Sequence, residues 1–158
     1  MVGQVLLLGA VLASGLLAGV YLLYAHTVMP AVADLPDEPA VAAFAALDRR
    51  IVNPVFMATA FLGAPVLSAA ALAAGWGGPT RTWTAAALVL HVVGTGITAR
   101  VHLPRNAKVT AMTGGEGRYA ATTARAALDE AVWVRWNWVR VLVSVAATVL
   151  LGWALTLA

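Results

Sequence analysis

A chain of 158 residues is long enough for one domain, and this one is 61% hydrophobic, 11% charged and has a mean hydropathy of +0.85. Ordinary soluble domains carry about 25% charged residues, so this composition excludes a soluble globule and places the chain in lipid. The net charge of +3 falls in the connections and suits a membrane surface rather than nucleic acid; with no cysteine, disulfides, thiolate metal sites and cysteine nucleophiles are excluded.

A spanning helix needs about 20 mainly apolar residues. The first such run is about 5–24. No Lys or Arg precedes it, and it is longer than the apolar core of a signal peptide, so it is expected to be retained despite Ala31-Val32-Ala33 after it. Gly15, Gly19, Leu22 and His26 share one of its faces. Gly15 and Gly19 at this spacing allow close helix contact, which would aim His26 at the packing partner. A solvated interfacial His26 is the alternative.

The connection 31–52 holds an amphipathic helix candidate from Glu38 to Arg50. Asn53-Pro54 reads as a helix cap followed by proline at the first helical position, opening the second span at 54–74. Gly75-Trp76-Gly77-Gly78-Pro79 makes a tight turn into the third span, 83–103. Pro104 should end that helix or kink it. The second long connection contains Gly114-Gly115-Glu116-Gly117, read as a loop, and a helical run from Arg118 to Trp133. The fourth span is 134–157. Trp76 and Trp83 suit one membrane interface; Trp133, Trp136 and Trp138 suit the other.

The fold class that follows is all-α: one integral membrane domain, 1–158, built as a four-transmembrane-helix bundle. Short amphipathic helices lie in the two longer connections, on one side. That side carries Arg49, Arg50, Arg100, Arg105, Lys108, Arg118, Arg125, Arg135 and Arg140; the other carries Arg81 alone. The positive-inside rule therefore puts both long connections in the cytoplasm and both termini outside.

Chemistry concentrates near that basic side. His91, Thr95, Thr98 and His102 lie at i, i+4, i+7 and i+11, which stacks them on one helical face. A polar stripe in a span should face the bundle interior. The two histidines are about 16 Å apart along the axis and cannot share a metal. Trp133, Trp136, Asn137 and Arg140 fall on one face of the fourth helix. Two indoles, an amide and a guanidinium suit an aromatic, oxygen-rich ligand, with Arg stabilising a phenolate or enolate; an aromatic belt with a snorkelling Arg is the bland alternative. Arg100, Arg105, Asn106 and Asn53 add polar groups at the same end. Metal ligation by His26 and His102, with Asp129 or Glu130, stays open, although no ligand-spacing motif supports it. Phosphate loops, nucleophile elbows and HExxH motifs are missing.

These segments resemble the anthrone oxygenase-like family of small four-helix membrane proteins. The matching stretches are Gly19-Val20-Tyr21 through Val28-Met29-Pro30, Leu47-Asp48-Arg49-Arg50-Ile51-Val52-Asn53-Pro54-Val55-Phe56 with Phe61-Leu62-Gly63, His102-Leu103-Pro104-Arg105-Asn106, and Trp133-x-x-Trp136-Asn137-x-x-Arg140. They occur in order along nearly the whole chain. His102 stands where the family's Asn-x-Pro-x-Asn segment begins with Asn. The resemblance implies oxidation of an anthrone-type polyphenol by O2 with neither flavin nor haem. For such chemistry the residues expected to act are His102 as base, Arg140 and Asn137 as anion stabilisers, and Trp133 and Trp136 as stacking walls. Asn106 and Asn53 orient the site, with His26 and Arg100 beside it. The implied partners are a small aromatic substrate, O2 and the bilayer. Two other functions compete: a non-catalytic membrane module (a small carrier or accessory subunit) and a His-ligated metal-dependent oxidase. Gly-rich faces leave self-association into a homo-oligomer open.

Overall fold

A computed structural model of the chain describes residues 1–113 and 121–158. The glycine cluster at 114–117 and the start of the helical run at Arg118 lie outside the described residues. Five helices account for most of the remainder: α1 (Val2–Ala33), α2 (Asp37–Ile51), α3 (Pro54–Ala74), α4 (Arg81–Thr113) and α5 (Ala121–Thr156). Among the described residues there is no strand. Four of these helices are long and apolar enough to cross a membrane.

The spans form a ring in chain order: α1 packs on α3, α3 on α4, α4 on α5, and α5 back on α1. Small residues make this close approach possible. Ala10, Ala71, Ala87, Ala147 and Ala154 are buried in one half of the core, and Ala13, Ala60 and Ala64 in the other. Larger apolar side chains face outward, among them Val5, Leu8, Leu12 and Leu16 on α1 and Leu142, Val145 and Val149 on α5. In water such stripes would drive aggregation; in lipid they are the solvent-facing surface.

Lengths decide where the polar parts go. Helix α3 has 21 residues, about 31 Å at 1.5 Å per residue, close to the hydrocarbon thickness. Helices α1, α4 and α5 have 32, 33 and 36 residues, so each overhangs α3. The overhangs and α2 gather at one end as a cap, where α2, the last turns of α4 and the first turns of α5 pack together. Arg125 ties the cap to the spans. It donates to the carbonyls of Ala33 (2.9 Å) and Leu35 (2.7 Å) and pairs with Asp37 (3.1 Å) and Glu130 (2.8 Å). Helix α5 is interrupted once, at Asp129, whose φ of 50° is left-handed. Asp tolerates that region better than most residues.

Two boundaries differ from the sequence reading. Helix α1 does not stop near residue 24, and α4 does not stop at Pro104. Both pass through a widened π-helical turn, Tyr24–Val28 in α1 and Thr98–His102 in α4, and proline follows each by two residues (Pro30, Pro104). Proline has no N–H for the carbonyl four residues back, and its ring crowds that carbonyl. A wider turn there relieves the crowding and lets the helix continue. Helix α3 has a third π turn, Met57–Phe61, closed by Leu62 N–H donating to the Met57 carbonyl at 2.8 Å. Glycine at 63 accommodates it: a Cβ there would sit 2.5 Å from the Ala58 carbonyl oxygen. All three π turns lie at the capped end.

Candidate active site

Under the cap, the ends of all four spans enclose a cavity of about 320 Å³. That is the size of a small-ligand pocket. Helix α1 contributes Val20, Tyr21 and Tyr24; α2 and its end contribute Phe44, Asp48, Ile51 and Val52; α3 contributes Phe56, Met57 and Phe61. The remaining wall is Thr98, His102, Leu103 and Asn106 from α4, with Trp133 and Arg140 from α5. Each π turn supplies wall residues: Tyr24, then Met57 and Phe61, then Thr98 and His102. An extra residue in a turn rotates the following side chains relative to a regular helix, and π turns recur at functional sites for this reason.

Arg140 is the dominant charge. It is only 6% exposed. One terminal nitrogen donates to Thr98 Oγ1 (3.1 Å) and the other to Asn137 Oδ1 (2.6 Å), while Nε has no partner. The guanidinium lies 4.2 Å from the centre of the Tyr21 ring and 5.5 Å from that of Trp133. Two aromatic faces offset part of the cost of burying a cation. Among the described residues no carboxylate forms an ion pair with it; Asp129 pairs with Arg105, and Asp37 and Glu130 pair with Arg125. A buried cation without a counter-ion, on the wall of a cavity, is a ready partner for an anionic oxygen.

His102 is 1% exposed and stands edge-on to Trp133, with ring centroids 4.8 Å apart. Its Nε2 donates to the Trp133 carbonyl at 3.3 Å, and Nδ1 is buried with no partner among the described residues. In the neutral ring a proton on Nε2 leaves the lone pair on Nδ1. That nitrogen is a free base.

A second polar chain closes the cap side. Asp48 Oδ1 accepts from Asn106 Nδ2 at 2.7 Å, its other oxygen accepts from Thr110 Oγ1 at 3.4 Å, and Asn106 Oδ1 accepts from Trp133 Nε1 at 3.0 Å. Trp133 is therefore fixed at its indole nitrogen and its carbonyl, and it is buried in the wall rather than lying in an interfacial belt.

The other expected residues fall elsewhere. Asn137, fully buried, is behind Arg140: its oxygen takes the guanidinium and its Nδ2 donates to the Tyr21 carbonyl at 2.9 Å. Trp136 is only partly buried and does not line the cavity. Asn53 caps α3, accepting from Phe56 N–H at 3.0 Å and donating to the Arg50 carbonyl at 2.9 Å. Arg100 is exposed. His26 is exposed too and bonds its neighbour Thr27 at 2.7 Å; Gly19 and Leu22 on the same face are exposed as well, so this face turns away from the bundle instead of aiming His26 at a packing partner. His26 does not line the cavity with His102, and no group of three or more His, Asp or Glu among the described residues is placed to hold a metal ion. Sequence reasoning missed Tyr21, Tyr24, Thr98 as a guanidinium partner, and Asp48. The signal for Asp48 was its place in the Leu47 to Phe56 segment.

His91 lies deeper and has a different setting. Its Nε2 is 3.0 Å from Ser14 Oγ and its Nδ1 is 3.3 Å from Ser68 Oγ. Ser14 also bonds Thr148 Oγ1 at 2.9 Å, so this layer links all four spans.

The fold and the site define a class: an all-α membrane protein with four spans and a capped cavity lined by a buried cation and an imidazole that, among the described residues, have no carboxylate partner and one unbonded nitrogen respectively. The profile of the anthrone oxygenase family matches residues 49–150. The chain belongs to that family, which gives it an oxygenase-like role. No curated protein and no solved structure matches it.

Proposed function

We propose that this protein oxidises a polycyclic phenol of the anthrone type with O2, in the cavity under the cap and without flavin, haem or metal. The observation that carries this reading is that Arg140 and His102 line one cavity, Arg140 with no carboxylate partner and His102 Nδ1 with no hydrogen-bond partner among the described residues. An anthrone has an acidic methylene opposite its ketone. His102 Nδ1 takes one methylene proton, and the negative charge moves to the ketone oxygen, where Arg140 stabilises it. The electron-rich enolate passes one electron to O2, and the two radicals join as a peroxide on the former methylene carbon. The protein's part is to supply the base, the cation and a site that excludes water. The indole of Trp133 and the rings of Tyr21, Tyr24 and Phe44 form the walls against which a flat substrate stacks.

The carrier reading has less support. A path should continue across the bilayer, but the layer beyond the cavity is closed by the bonds among His91, Ser14, Ser68 and Thr148. We place the capped end in the cytoplasm, because Arg49, Arg50, Arg100, Arg105 and Arg135 all belong to it.

The test is O2 uptake by the purified, detergent-solubilised protein given anthrone. Wild type consumes O2, whereas His102→Ala and Arg140→Ala, eluting as the wild type does, lose about a hundredfold or more. Undiminished uptake in both variants sinks the mechanism.

A further inference from the structure

Turning an anthrone into an anthraquinone removes two protons from one carbon, and His102 accounts for one of them. We infer that Asp48 is a second catalytic base, which takes the remaining proton from the peroxide-bearing carbon and so expels the terminal oxygen. This inference rests on the reading given above.

The atoms balance as follows. Anthrone plus O2 gives the hydroperoxide: one C–H bond breaks, one C–O bond forms, and the proton held by His102 goes to the terminal peroxide oxygen. In the second half the other C–H bond breaks and its proton goes to the Asp48 carboxylate. Its electron pair becomes the second bond of the new carbonyl, and the O–O bond breaks with its pair on the leaving hydroxide. That hydroxide takes the proton back from Asp48 and leaves as water. Carbon is oxidised, O2 is reduced, and no further oxidant is needed.

The geometry favours Asp48 for this step. Among the described residues it is the one carboxylate on the cavity wall, and it comes from the cap rather than the spans. Among the described residues it has no cationic partner; its oxygens accept only from the neutral groups of Asn106 and Thr110. A carboxylate has two oxygens and about four acceptor positions, so these two bonds leave capacity for a proton. Asn106 is also bonded to Trp133, whose carbonyl holds His102. One chain of hydrogen bonds therefore fixes both bases relative to the same indole wall. The two are carried by different helices, α2 and α4, so they can approach the substrate from different walls. A purely structural Asp48 would need neither its position on the wall nor an unused acceptor site.

The experiment measures O2 consumed and anthraquinone formed in parallel, with anthrone as probe, in wild type, Asp48→Asn and Asp48→Ala. Wild type should give one quinone per O2. In Asp48→Asn, which keeps the shape of the side chain, quinone formation falls about a hundredfold, while O2 uptake runs ahead of it and a product carrying both oxygen atoms accumulates. In Asp48→Ala, added formate should restore quinone formation. One quinone per O2 in both variants, at whatever rate, overturns the assignment, as does loss of both signals together with no rescue by formate. If wild type takes up no O2 with anthrone, the proposed function fails instead, and the two failures are told apart by the wild-type trace alone.

Discussion

His91 and His102 sit on the same helix, three turns apart, and both are buried, yet they are built for different work. Each nitrogen of His91 has a hydroxyl partner, Ser14 on one side and Ser68 on the other. His102 has a partner for Nε2 only; among the described residues its second nitrogen is buried without one. In a membrane interior an unsatisfied polar group is costly, because no water stands by to replace the lost bond. A fully bonded histidine is therefore a staple between helices. A half-bonded one, beside a cavity large enough for a tricyclic ligand, marks a place where a ligand completes the set. Burial alone does not separate the two; the count of satisfied atoms does.

The comparison can be broken by exchanging the roles. His102→Ala should lose turnover by about two to three orders of magnitude while shifting thermal stability little, read by O2 uptake and by unfolding in detergent. His91→Leu should do the reverse, costing about 1–2 kcal/mol by leaving serine hydroxyls short of partners, with turnover kept. If His91→Leu abolishes turnover and His102→Ala unfolds the protein, the assignment of the two sites is inverted. Next in size is Gly63→Ala. Its methyl would press on the Ala58 carbonyl at 2.5 Å, so the π turn must shift. A loss of about 1–3 kcal/mol and a raised KM should result, since Met57 and Phe61 are on the wall. Asn53→Ala should cost about 1 kcal/mol, the usual worth of a helix cap.

The smallest effect concerns pH at the cap. The hydrogen bond from Thr122, then that from Arg125, holds the Asp37 carboxyl below its ordinary value of 3.8. Its contribution is present above that ordinary value and is lost as pH falls through the lowered one. Protease cleavage of the connection around Asp37 should rise only in strong acid, and Asp37→Asn should abolish that acid step.

The spans were legible because each needs a long apolar run, and nothing else in the composition offers one. His102, Arg140 and Trp133 were legible because helical spacing puts them on an inward face, and Asn106 because it closes the same helix at the basic end. What spacing hid was which way a face turns. Gly19, Leu22 and His26 share a face that is exposed rather than packed, while Tyr21 from the preceding turns and Tyr24 at the start of the π turn reach the cavity. Asp48 was hidden differently. It belongs to a cap helix whose docking depends on contacts with α4 and α5, distant in sequence. Trp136 misled because it lies at the edge of the face shared by Trp133, Asn137 and Arg140, and a small rotation of the helix leaves it outside.

The central claim is that Arg140 awaits an anionic oxygen in this cavity. The direct measurement is a visible-absorption titration of 2-hydroxyanthraquinone, whose phenol and phenolate differ in colour, bound to wild type and to Arg140→Gln. The account predicts that the wild type binds the phenolate and moves its colour change to lower pH, and that Arg140→Gln loses this shift. A colour change at the same pH in both proteins would contradict it.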